Sequence, residues 1–113
     1  AYAAGELKHG TIALIDEERL VVAIATYEEL FDKMMSNIKE VKARGAKVLG
    51  VAAEGMNKIF SEADDVILVP KCSPLFAVPA EIVPLQLLAY YVAKENDCDI
   101  DKPRNLAKSV TVE

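Results

Sequence analysis

Three short apolar runs limit this chain more than any other feature. Leu20-Val-Val-Ala-Ile-Ala25, Lys47-Val-Leu-Gly-Val-Ala52 and Val66-Ile-Leu-Val69 lack the polar alternation of a half-solvated strand. Unbroken runs of this length, bounded by polar turns, suit strands of a parallel sheet covered on both faces. The stretches between them are helical in pattern, so each connection is a crossover, and such crossovers are right-handed almost without exception. The reading is an α/β fold, a three-layer α/β/α unit with a parallel sheet.

The helices follow from spacing and caps. Thr26-x-x-Glu29 has the form of a capping box, and Leu30, Met34, Ile38 and Val41 make one apolar stripe behind it. Lys39, Lys42 and Arg44 lie toward the negative end of that helix, and Gly45 supplies the stop. Residues 1–9 read as the last turns of a helix ended by Gly10, and Thr11-Ile-Ala-Leu-Ile15 as extended. A short helix is expected around residues 57–62 and a loop at 71–78. A long helix follows over about residues 79–96, with Pro79 in its first turn and Pro84 removing an interior hydrogen bond. Leu85, Leu88, Val92 and Tyr91 are its sheet-facing candidates.

Composition excludes several roles. A net charge of −5, with no stripe of Lys or Arg, argues against nucleic acid as a partner. Cys72 and Cys98 are far apart and have no metal-ligand spacing, so they read as reduced thiols of a cytoplasmic protein with no metal and no cofactor. The most apolar helical stretch, residues 82–93, is interrupted by Gln86 and reads as too short to cross a bilayer. Hydrophobic residues make up 52% of the chain, a share that suggests apolar surface meant for a neighbour. The start within an element, without an initiator methionine, suggests a piece of a longer protein.

Two groups stand out chemically. His9, the one histidine, sits where a helix end favours the imidazolium form, and it is weighed there as an acid/base group against a capping or surface histidine. The closing peptide carries Arg104 and Lys108 among small and β-branched residues, after the Lys102-Pro103 pair that blocks helix continuation. At neutral pH only roughly one ordinary lysine amine in 2,500 is uncharged. A reactive Lys108 therefore needs desolvation or a nearby cation, and Leu106, Ala107, Val110 and Arg104 are the candidates to supply them.

The run Asp101-Lys-Pro-Arg-Asn-Leu-Ala-Lys-Ser-Val-Thr-Val-Glu113 closely resembles the carboxyl terminus of the glucosamine-6-phosphate synthase family, the glutamine–fructose-6-phosphate aminotransferases. Ala1-Tyr-Ala-Ala-Gly-Glu-Leu-Lys-His-Gly10 and Val83-Pro-Leu-Gln-Leu-Leu-Ala-Tyr90 resemble the same family, in its order. The resemblance implies a flavodoxin-like SIS (sugar isomerase) domain, residues 1–113 being the second half of the isomerase region and 101–113 its active-site tail. It further implies that Lys108 reacts with or polarises a sugar carbonyl and that Ala107 contacts the sugar through its backbone. Arg104 would position the tail, and His9 would open the fructose 6-phosphate ring in the neighbouring subunit of a homodimer.

Several family parts have no counterpart here. Ser36, Ser61, Ser73 and Ser109 are scattered and form no phosphate-binding turn. The proton-shuttling glutamate would lie before Ala1, Glu6 being wrongly placed for it. The glutaminase domain with its cysteine is not represented. The implied partners are therefore the rest of a parent chain (first SIS subdomain, glutaminase domain) and fructose 6-phosphate or glucosamine 6-phosphate, with no membrane. The piece alone is expected to be inactive. The alternative is a non-catalytic sugar-phosphate-binding SIS module. A receiver domain fits poorly, because Asp64-Asp65 precede a strand where such a site needs acids at strand carboxyl ends.

Overall fold

In a computed structural model, residues 1–102 are described. They contain three parallel strands in the order β1-β2-β3: β1 (Leu20–Ala25), β2 (Lys47–Ala53) and β3 (Asp65–Val69). Between β1 and β2 runs the helix α1 (Phe31–Lys42), and after β3 comes α2 (Pro74–Glu95). Val22 pairs with Leu49 and Ile24 with Val51 in the first ladder; Val51 pairs with Ile67 in the second. The described residues divide into two compact units that part after Glu81, so the boundary falls within α2.

In the first unit α1 covers one face of the sheet. Met35, Ile38 and Val41 are buried against Ala23, Ala25, Val48 and Ala52, with Phe31 and Met34 packed at the margin. The stripe is thus 31/34/35/38/41; Leu30, expected to belong to it, is half exposed in the 3-10 turn Glu28–Leu30 ahead of α1. The capping box does not form. The Thr26 hydroxyl instead donates to the Glu81 carboxylate, and neither turn nor helix has a side-chain cap. The other end of α1 is as expected. Gly45 takes a left-handed φ of 89°, its amide bonds the Lys42 carbonyl, and the Ala46 amide reaches back to Val41.

Asp64 fastens three elements together. Its carboxylate accepts the Val48 amide at 2.8 Å and the Lys42 ammonium at 2.7 Å, tying the start of β2 and the end of α1 to the turn before β3. Those two donors, Lys42 first, hold its carboxyl below the usual aspartate range, and Lys58 does the same for Asp32 at 2.7 Å.

The other face of β1 departs from expectation. Leu20, Val22 and Ile24 are exposed at 60%, 37% and 39%, so the strand is covered on one side only. The amino-terminal segment differs too. Residues 4–9 form a 3-10 helix and not the end of an α-helix, and Thr11–Leu14, read as extended, is a second 3-10 turn.

The helix α2 is 22 residues long, beginning at Pro74 and not near Pro79. By length and composition alone it is long and apolar enough to cross a membrane, contrary to the expectation from residues 82–93. None of its residues is buried; Leu85 and Leu88 are half-buried, whereas Tyr91 and Val92 are exposed. Its end is built from main-chain bonds. Asp97 has φ 54°, its amide bonds Lys94, and the Cys98 amide reaches Ala93 at 2.9 Å. Asp99 then accepts the amides of Asp101 and Lys102.

Candidate functional site

Of the residues singled out from the sequence, His9 is the one the structure places. It is exposed at the end of the 3-10 helix Ala4–His9, whose turn is closed by the Gly10 amide on the Leu7 carbonyl at 3.3 Å. Its two predecessors are both anchored. Leu7 packs against the core cluster, and the Lys8 ammonium meets the Glu40 carboxylate of α1 at 2.7 Å. The histidine thus rides on a short segment held to the body of the domain by the two preceding side chains. Arg104, Ala107 and Lys108 lie outside the described residues.

Parallel strands open their carboxyl ends on one edge, where sites of such sheets are found. Here a small cavity is lined by Thr26, Ala53, Val69, Pro70, Cys72, Ala77 and Ala80. Thr26 follows β1, Ala53 and Val69 end their strands, and the alanines come from the first turns of α2. The Thr26–Glu81 hydrogen bond stands beside it. Among the described residues, no Lys, Arg or His lines this cavity. His9 is not among its walls.

The sequence marks Thr26 as a helix cap, whereas its partner Glu81 goes unmarked. A signal existed for Glu81, the one charged residue between Pro74 and Tyr91 in an otherwise apolar stretch. Among the described residues, no cluster of three or more His, Cys, Asp or Glu side chains could hold a metal. Cys72 and Cys98 are both free and exposed.

Residues 1–95 match the SIS domain family. Over all 113 residues the chain is 58% identical to the glutamine–fructose-6-phosphate aminotransferase (isomerizing) of Clostridium tetani, and spans 19% of that protein. It is 61% identical over 112 residues to the enzyme of the same name from Methanosarcina mazei, spanning 18% of it. Among solved structures it is similar to the C-terminal domain of glucosamine-fructose-6-phosphate aminotransferase from Francisella tularensis, at 36% identity and a TM-score of 0.83. That likeness covers 90% of this chain and 29% of the other. The chain therefore spans about a fifth of the length of the curated relatives it matches.

Proposed function

This chain belongs to the SIS domain family, and from that premise we propose that it is the C-terminal part of the isomerase region of a glutamine–fructose-6-phosphate aminotransferase. The observation that carries the reading is an alignment at 58% identity that spans all 113 residues. The activity proposed for the parent is the synthesis of glucosamine 6-phosphate from fructose 6-phosphate, with glutamine as nitrogen donor. The protein would work in the cytoplasm, as a homodimer, with no membrane and no nucleic acid as partners.

The roles follow the chemistry of a ketose. Opening the ring moves a proton from the C2 hydroxyl to the ring oxygen, a transfer suited to an imidazole, and His9 is the proposed acid/base group, acting on the partner subunit's sugar. Its exposed position on an anchored segment supports such a role, because an acid/base group serving a neighbour must project outward. The open-chain carbonyl is the proposed target of Lys108. A neutral amine adds to C2 and, with loss of water, leaves an imine that later exchanges with ammonia. Ala107 would hold the sugar through its main chain and Arg104 would set the tail. The glutamate that moves the proton between C1 and C2 is assigned outside these residues.

The test is Lys108→Ala in the full-length enzyme. Synthesis of glucosamine 6-phosphate should be lost while glutamine hydrolysis stays measurable; unchanged synthesis removes Lys108 from the mechanism. The 113-residue chain alone should not isomerise fructose 6-phosphate, and turnover near that of an intact enzyme would refute its reading as a part.

A further inference from the structure

We propose that Glu40, acting through Lys8, is a positioning residue for His9. This rests on the role given to His9 above and names what holds the ring in place.

The ion pair joins two elements 32 positions apart, the 3-10 helix Ala4–His9 and the third turn of α1, at 2.7 Å. The side chains are 54% and 35% exposed, so solvent screens the pair and it adds little to stability. That is too little to decide whether the domain folds. Its larger consequence is geometric. A six-residue 3-10 helix with no buried residue has little internal stiffness. Leu7 fixes it at one point on the core, and one apolar contact leaves rotation about that point free. The Lys8–Glu40 pair is a second point, adjacent in sequence and on a rigid helix. Two fixed points define the direction in which the next residue, His9, leaves the surface. Glu40 is well suited to the task, being on α1, whose Ile38 and Val41 are fully buried. Because proton transfer requires the ring within hydrogen-bond reach of its target, a misplacement of about 1 Å can lower a rate up to about 100-fold.

The experiment uses the full-length enzyme and measures kcat and KM for fructose 6-phosphate. Glu40→Gln should lower kcat about three- to fivefold and leave KM within about twofold, the range a weak, partly exposed pair can impose on the orientation of the next residue. The exchanged pair Lys8→Glu with Glu40→Lys should recover kcat to within about 1.5-fold of the parent, since the attraction is restored with its signs reversed. In a His9→Gln background, Glu40→Gln should have no further effect, which a general loss of folding cannot imitate. Glu62→Gln, which breaks the Lys39–Glu62 pair at 3.2 Å, serves as the control and should leave kcat unchanged. The proposal is overturned by a Glu40→Gln kcat within twofold of the parent while His9→Gln is impaired. An equal loss in the His9→Gln background overturns it as well. A His9→Gln enzyme with full kcat is a different result, striking at the role of His9 itself and taking this inference with it.

Discussion

Gly50→Ala is the substitution whose effect can be worked most directly from the structure. Gly50 lies mid-strand in β2, paired to Ala23 and Val66, and its backbone is not left-handed, so alanine meets no conformational penalty there. Space is the obstacle. A methyl group would sit 2.6 Å from Ile59 Cδ1, 3.0 Å from its Cγ1 and 3.2 Å from Ala63 Cβ, against a comfortable carbon–carbon separation of about 3.5–4.0 Å. Ile59 is 0% exposed and has no solvent to retreat into. Overpacking of this kind costs about 1–3 kcal/mol, offset by roughly 0.4–1 kcal/mol from the stiffer unfolded chain. The net loss is about 1–2 kcal/mol, or roughly 4–10 °C in Tm for a domain this size. Urea unfolding followed by circular dichroism measures it. Ile59→Val removes the nearest carbon at its own cost of about 0.5–1.5 kcal/mol. In the double variant the two losses should fall short of their sum by about 1 kcal/mol, beyond the ~0.3–0.5 kcal/mol scatter of independent sites. A Gly50→Ala chain as stable as the parent, or strictly additive losses, would refute the reasoning.

Two further predictions concern charge and surface. Asp64→Asn should lower the urea midpoint at pH 7, because the folded state holds this carboxyl below its unfolded value through Lys42 and the Val48 amide. That contribution is present above the ordinary aspartate range and is lost as pH falls through the lower folded value, so parent and variant should begin to draw together below about pH 4 and meet only below the folded value. Curves that stay parallel from pH 7 to pH 3 would contradict it. Val22→Thr with Ile24→Thr keeps β propensity and removes apolar area from the open face of β1. The doubly substituted 113-residue chain should sediment with a larger monomer fraction than the parent at equal concentration; an unchanged distribution counts against that face as a cause of self-association.

Much of the fold is legible in the residues themselves. The strand at residues 20–25 is where the apolar run places it, and β2 and β3 differ from the expected bounds by one residue each, because strands of a parallel sheet leave dense apolar runs bounded by polar turns. Gly45 is read correctly as a stop, since a left-handed φ there selects for glycine. Local signals failed where a distant group competed. Thr26-x-x-Glu29 has the form of a cap, but the hydroxyl finds Glu81, 55 residues away, which no local pattern encodes. Pro79 suits the first turn of a helix and marks residue 79 as a start for α2. Pro74 suits it equally, and α2 begins there. Alternation could not show that β1 is covered on one side, as an unbroken apolar run is equally compatible with an uncovered face. Of the site, the sequence marks His9, and the structure adds the Lys8–Glu40 pair that anchors its segment.

The stop at the end of α2 has a consequence for anything attached beyond it. Between Val92 and Lys102 the chain is turned by its own amides and by the Asn96 and Asp99 side chains, with Asp97 in a conformation that few residues other than glycine and asparagine accept readily. The heading of the polypeptide at Lys102 is therefore decided locally, before any partner is met. Exchanging Asp97 for valine would strain that turn and change the heading at Lys102 without altering any residue beyond position 97.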